Sequence, residues 1–164
     1  MAAPGKSQKL RLREYQPYDF DALCEMDRAC YEPEIAYSRR EMRAYLDAPG
    51  SDCVIAECKA RMCGFCITVH QNTDAYIVTI DVLGAFRKKG VGSALIVEAE
   101  KRVAAAGVRR VALDTAVDNL SAIAFWQKHG YRKIGVRKGY YPNGRDAFAM
   151  IKILAAKPNT QREA

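Results

Sequence analysis

The chemistry of this chain concentrates in one decapeptide, FRKKGVGSAL, at residues 86–95. Three cations, Arg87, Lys88 and Lys89, run straight into Gly90, Val91, Gly92 and Ser93, and a helix-forming stretch follows. A helix N-terminus presents backbone N–H groups without intrahelical partners, together with the positive end of a dipole. Glycine lets backbone approach a ligand closely and adopt positive φ. Such a combination makes an anion site, and it points to a phosphate or pyrophosphate, the alternative being a solvated basic turn. The spacing is neither G-x-G-x-x-G nor the G-x-x-x-x-G-K-[ST] of nucleotide-hydrolysing loops. Metal chemistry has little to draw on. The Cys63-Gly-Phe-Cys66 pair sits in a strand-like apolar run with no second pair, and the only histidines are His70 and His129. A zinc site needs four ligands, so no metal is expected. The six cysteines read as small buried hydrophobes in a reducing compartment. His129, at a helix end, complements the dipole there, and His70 is expected at the surface.

The elements that must position this segment follow from periodicity. KLRLREY alternates like a short strand, whereas apolar residues at 20, 23, 26 and 30 have helical spacing. Ser38 and Glu41 form a capping-box pattern that opens a second short helix. Residues 52–69 read as a hairpin turning near Lys59 to Arg61, and AYIVTIDVL is a β-branched strand. A helix is predicted from about Gly92 to Ala106, stopped by Gly107. Then come a strand (RRVALDTA), a helix ending at Gly130, and two strands joined by a turn at Pro142-Asn-Gly144. The order β-α-α-β-β-β-α-β-α-β-β is a mixed α/β domain, an α+β mixed sheet flanked by helices, over residues 9–154. The ends, 1–8 and 155–164, are expected to be flexible. The strand–glycine loop–helix–strand unit at about 75–116 implies a parallel strand pair. Ligands of α/β sheets gather at carboxyl ends of strands, which places a site at the end of the 75–83 strand.

Bulk properties agree with one ordinary domain of 164 residues, 49% hydrophobic and 27% charged. The formal net charge of +7 suits nucleic acid, an anionic lipid or a phosphorylated small molecule, or solubility alone. No aromatics are interleaved with the cations in the way single-strand binding requires, so nucleic acid is not the expected partner. There is no run of 18 apolar residues and no apolar N-terminal signal core, so no membrane is expected and the cytoplasm is the default location.

At this point the chain resembles the GNAT N-acetyltransferases. Their [QR]-x-x-G-x-[GA] signature stands here as Arg87-Lys88-Lys89-Gly90-Val91-Gly92, after the strand YIVTIDV, and is trailed by DNLSAIAFWQKHGY. The likeness spans roughly residues 10–153, and the ending GYYPNGRDAFAM looks like the protein N-terminal acetyltransferases, the ribosomal-protein alanine type included. The resemblance implies the acyl-CoA N-acyltransferase fold and an acetyl-CoA-dependent enzyme. It would transfer acetyl by direct attack of an amine, the α-amine of a protein or peptide N-terminus, with a ribosomal protein among possible acceptors. A small-molecule amine, a lysine side chain, or non-catalytic acyl-CoA binding are the alternatives. Backbone groups of Ile80, Asp81 and Val82 would pair with the pantetheine arm, N–H groups from Lys88 to Ser93 would hold the pyrophosphate, and Asn119 would bond the cofactor or cap its helix. Tyr76 and Asp114 match positions that deprotonate the amine in related transferases, commonly through water. Asp114 is expected as base or water-holder, with Tyr76 assisting. Glu32 and Glu34 match a loop lining the peptide site, where Pro33-Glu34 resembles a catalytic Pro-Glu pair, the alternative being a solvated loop acid. Tyr140 and Tyr141 match residues that bond the first substrate residues. Trp126 stands where many members carry a tyrosine acid. Indole donates a hydrogen bond but no proton at neutral pH, so Trp126 either bonds the cofactor sulfur or packs. In its place Tyr141 would supply the acid, or activity would be low.

Overall fold

The computed structural model describes residues 9–155, so the expected flexible ends lie outside the described residues except for Ala155. The expected element order holds throughout. It runs β1 (Leu10–Glu14), α1 (Phe20–Cys30), α2 (Arg39–Asp47), β2 (Ser51–Cys58), β3 (Arg61–Gln71), β4 (Asp74–Val82), α3 (Val91–Ala105), β5 (Arg110–Ala116), α4 (Leu120–Lys128), β6 (Arg132–Arg137) and β7 (Ala147–Ile153).

Local chemistry accounts for most boundaries. Ser38 Oγ accepts from the Glu41 N–H at 3.1 Å, and the Glu41 carboxylate accepts from the Ser38 N–H at 2.8 Å. This reciprocal box satisfies two donors that α2 would otherwise leave open. The β2–β3 hairpin turns at Lys59 and Ala60, both at positive φ. Helix α3 starts one residue earlier than expected, at Val91, because Gly90 caps it in the left-handed region at φ +84°.

The seven strands form one sheet in the order β1-β2-β3-β4-β5-β7-β6. Every neighbouring pair is antiparallel except β4–β5, which is parallel as the crossover requires. That parallel pairing is short. It joins Asp74 to Arg110, Ala75 to Val111 and Tyr76 to Ala112, and no further. Just beyond, Ile67 of β3 pairs with Thr79 while Thr68 pairs with Ile77, so Val78 is an extra residue in β4. A bulge of this kind bends its strand and increases the twist. The outer half of β4 therefore leaves β5 and stays paired with β3 alone, opening a split in the sheet.

Helices close both faces. Phe20 and Leu23 of α1 and Met42 of α2 pack with Ile55, Phe65, Ile67 and Val78 on one side. On the other, Leu95, Ile96 and Val103 of α3 and Trp126 of α4 pack with Val111, Leu113 and Met150. Among the described residues, no helix is long and apolar enough to cross a membrane.

Candidate active site

The split between β4 and β5 opens into a cavity of about 780 Å³, within the range of small-molecule sites. One end is the α3 N-terminus. Its first intrahelical bond runs from the Ala94 N–H to the Gly90 carbonyl at 3.0 Å, so the N–H groups of Val91, Gly92 and Ser93 have no partner within the helix. Arg87, Lys88, Gly90, Gly92 and Ser93 line the cavity there. Lys89 does not; its ammonium lies over the Phe86 ring. The Val91 side chain is buried in the core, leaving only its backbone for an anion. A Cβ on Gly92 would lie 3.2 Å from Phe125, so this glycine also lets α4 approach α3. The Ser93 hydroxyl meets His129 Nε2 at 2.9 Å. Burial lowers the His129 pKa, so the ring is neutral at pH 7 and bonds the cradle serine besides ending α4. The sequence offered no sign of that contact. His70, expected at the surface, is half-buried.

Along the open edge of β4, two of the three residues expected to pair with a pantetheine arm, Ile80 and Val82, have carbonyls that accept from side chains, as does Val78. The Tyr31 hydroxyl donates to the Ile80 carbonyl at 3.0 Å, and Tyr37 donates to the Val78 carbonyl at 3.2 Å. The Val82 carbonyl accepts from Arg87 Nε at 3.0 Å. Ile80, Asp81 and Val82 all line the cavity, as expected. The Asp81 side chain, however, turns under α1. Its Oδ1 accepts from Thr79 Oγ1 at 2.6 Å, and Asp27 Oδ2 accepts from the Tyr37 N–H at 2.7 Å. Asp27 and Asp81 are 0% and 1% exposed, and Asp27 Oδ1 and Asp81 Oδ2 have no other partner. A proton shared between the two carboxyls would satisfy both oxygens. Burial, and then the Asp27 charge, push Asp81 well above the ordinary carboxylate range, and burial also raises Asp27. Asp27 occupies the same helical stripe as Phe20, Leu23 and Cys24, which is the signal that marks it as inward-facing.

The other end of the cavity carries the polar chain expected from Tyr76 and Asp114. The Tyr76 hydroxyl donates to Asp114 Oδ2 at 2.8 Å and lies 3.2 Å from the Tyr140 hydroxyl. Since the single Tyr76 proton goes to Asp114, Tyr140 is the donor to Tyr76. Burial, the Tyr140 contact and the nearby Asp114 charge raise the Tyr76 pKa far beyond the usual phenol value. Tyr76 is therefore a fixed donor and relay, not itself a base. Arg137 Nε donates to Asp114 Oδ1 at 2.7 Å, a partner that sequence reading missed because it lies two strands away. Tyr141 stands edge-on to Tyr140 at 4.9 Å, and burial pushes its hydroxyl up to about 12. Transfer of a proton from such a phenol to a thiolate, whose thiol sits at about 8.5, is uphill. Tyr141 lines the cavity beside Tyr140, and as the substitute acid its hydroxyl would have to act against that raised value.

Trp126 lines the cavity but is 5% exposed, packed edge-on against Phe125 at 5.0 Å and Tyr131 at 5.2 Å. Asn119 lines it too, and its side chain caps α4 by accepting from the Ala122 N–H at 3.2 Å. Glu32 and Glu34 are exposed and outside the lining. Glu32 pairs with Arg145 at 3.1 Å, and Arg145 also reaches Asp118 at 3.4 Å, so one guanidinium ties three loops around the mouth. Among the described residues, no group of three or more His, Cys, Asp or Glu is placed to hold a metal ion, and all six cysteines are free.

Residues 20–131 match the model of the acetyltransferase (GNAT) family. The chain belongs to the GNAT family. Residues 87–93 at the α3 N-terminus and the split between β4 and β5 both lie within the matched span. An N-alpha-acetyltransferase of Saccharolobus solfataricus is 34% identical over 80 residues, 48% of each chain. N-alpha-acetyltransferase 30 of Dictyostelium discoideum is 27% identical over 88% of this chain and 81% of the relative. This GNAT chain spans about half the length of several curated relatives it matches, including the Saccharolobus protein. The ribosomal-protein-S18-alanine N-acetyltransferase of Escherichia coli has the same fold, with a TM-score of 0.82 at 21% identity over 92% of this chain and 98% of that one. Ard1 of Thermoplasma volcanium superposes with a TM-score of 0.79 at 23% identity, over 90% of this chain and 99% of the other.

Proposed function

We propose that this GNAT protein transfers the acetyl group of acetyl-CoA to the α-amine of a protein or peptide N-terminus. The observation that carries the reading is the chain Tyr140–Tyr76–Asp114 at one end of the cavity, opposite the cation-rich α3 N-terminus at the other. Relatives named N-alpha-acetyltransferase, and one in Bacillus subtilis named a putative ribosomal-protein bS18-alanine N-acetyltransferase, support the same acceptor class. A ribosomal protein is accordingly a candidate partner.

Acetyl-CoA fits the residues present. The N–H groups of Val91, Gly92 and Ser93, with Arg87 and Lys88, suit its pyrophosphate, and the cavity volume suits its arm. When bound, it supplies an activated acyl carbon and a thiolate leaving group. Use of the Ile80 carbonyl by the arm requires Tyr31 to release it. Asn119 and Ser93 flank the arm's path, and Trp126 forms an apolar wall that excludes water.

The acceptor must attack as a neutral amine. An α-amine has a pKa of about 8 and a lysine side chain about 10.4, so the N-terminus needs far less help at neutral pH. Tyr140 and Tyr76 hold its N–H groups and relay the released proton toward Asp114, which both hydroxyls ultimately face. Tyr141, next to Tyr140, and the Glu32–Arg145 tie frame the path of the peptide backbone. Glu34, exposed and outside the cavity lining, is not needed for this step.

A CoA-release assay over N-terminal peptides, lysine peptides and polyamines tests the proposal. Turnover confined to free N-terminal peptides is the expected result. Turnover only on polyamines or lysine side chains overturns it, as does CoA binding with no turnover on any acceptor.

A further inference from the structure

We propose that Arg137 is a positioning residue that neutralises Asp114 and so makes the site take its acceptor as the neutral amine rather than the ammonium ion. The inference rests on the acceptor-amine reading and deepens it.

The Asp114 side chain is 5% exposed, and a carboxylate so enclosed requires partners. Tyr76 supplies a neutral donor at Oδ2, and Arg137 supplies, among the described residues, the only full positive charge in contact, at Oδ1 and 2.7 Å. Arg137 belongs to β6, and β7 lies between it and β5. Its guanidinium must cross β7 over the face that carries Asp114. On that face the register places Ala149 beside Asp114 and Ala147 beside Ala116, with Gly135 and Arg137 opposite them on β6. The bulky Phe148 and Met150 alternate to the other face. The two alanines thus leave the path of the arginine stem open, whereas a Cβ at Gly135 would meet nothing within 4 Å, and a larger residue at 147 or 149 would close it.

The consequence is a matter of charge and of donor direction. Groups facing Asp114 and its partners are Tyr76 from β4, Arg137 from β6, Tyr140 and Tyr141 from the β6–β7 loop, Asp118 from the β5–α4 loop, and, beside Tyr140, Tyr45 from α2 and Tyr37 from the α1–α2 loop, both neutral phenols. Asp118 is itself paired with Arg145. With Arg137 in place, the Asp114 end carries no net charge. Arg137 and Tyr76 both donate to Asp114, and Tyr140 donates to Tyr76, so the chain of donors runs inward. Its outer end is the Tyr140 oxygen, an uncharged acceptor suited to one N–H of a neutral amine. An ammonium ion would gain no counter-charge there, and it has no lone pair with which to attack. Without Arg137 the same pocket would hold a bare carboxylate and trap the ammonium ion as an ion pair.

The test compares Arg137→Gln and Arg137→Lys with the wild type. It measures kcat and KM for an N-terminal peptide between pH 6 and 9, the affinity for CoA, and calorimetric binding of the same peptide to the CoA-loaded protein. Arg137→Gln should bind the peptide about fivefold more tightly at pH 6, a modest gain because the arginine is 59% exposed. Its KM should fall with it while kcat falls about tenfold, and CoA affinity should not change. Arg137→Lys, which keeps the charge, should restore the wild-type pH dependence of peptide binding. A Gln variant whose peptide affinity at pH 6 equals that of the wild type overturns the inference, whether or not kcat drops. Wild-type protein that binds CoA and peptide yet turns over no acceptor refutes the proposed function instead, while the calorimetric comparison still decides the role of Arg137.

Discussion

Replacing Tyr76 with phenylalanine tests the catalytic role proposed for one hydroxyl. The ring is retained, so its packing beside the β4–β5 split changes little. Two hydrogen bonds are lost: the donation to Asp114 at 2.8 Å and the acceptance from Tyr140 at 3.2 Å. A hydrogen bond to a charged group contributes about 1.5–3 kcal/mol and a neutral one about 0.5–1.5 kcal/mol. Asp114 keeps Arg137, and Tyr140 is free to turn toward Asp114 or solvent, so part of the loss is recovered. A net loss of about 2 kcal/mol in the transition state corresponds to roughly 30-fold in kcat. Acetyl-CoA affinity should be unaffected, because the cradle lies at the α3 N-terminus. The assay is steady-state CoA release with an N-terminal peptide, run alongside CoA calorimetry and thermal melting. Asp114→Asn and the double variant complete a cycle. Since the two groups act as one chain, the double variant should lose no more than the worse single variant. A kcat within twofold of wild type, with a lowered melting temperature, would show that the hydroxyl only props the strand and would refute the relay.

Three further outcomes check other parts of the site. Gly90→Ala places a Cβ in open space but at φ +84°, so it should cost about 1 kcal/mol of stability through backbone strain and weaken CoA binding by disturbing the α3 N-terminus; unchanged melting and affinity would count against the cradle. Tyr31→Phe frees the Ile80 carbonyl and should tighten CoA binding about two- to tenfold, the worth of one released hydrogen bond; weaker binding in calorimetry would mean that the tyrosine helps rather than competes. The Asp27–Asp81 pair makes stability depend on pH. Both carboxyls are raised in the folded state, chiefly by burial, so the folded protein holds a proton that the unfolded chain has released above about pH 4. Their contribution is complete below that value and is lost as the pH rises through the folded value. Asp81→Asn supplies its own N–H donor and should flatten the decline in melting temperature between pH 5 and 9; an unaltered slope would refute the shared proton.

Local patterns decide much of this protein from the sequence alone. The Ser38–Glu41 box, the left-handed glycines at 90, 107 and 130, and the β-branched run before the cradle each act within a few residues, so the element order is legible without coordinates. The anion cradle is legible for the same reason: helix start, glycines and cations are neighbours in the chain. Resemblance alone pairs Tyr76 with Asp114 in the sequence, and the parallel register of β4 and β5 brings them together. Contacts between distant segments were not legible. Val78 carries no mark of a bulge, because a bulge depends on what β3 offers opposite it. Arg137 reads as one more basic residue until β7 brings it, past two alanines, to Asp114. Tyr31 and Asp27 gain their partners only when α1 packs on β4. Trp126, open in the sequence between bonding and packing, is enclosed by Phe125 and Tyr131. Propensity and capping are local free energies and can be read in one dimension. The charge state and direction of a hydrogen-bond chain depend on which segments the sheet makes neighbours, and only the tertiary structure decides that.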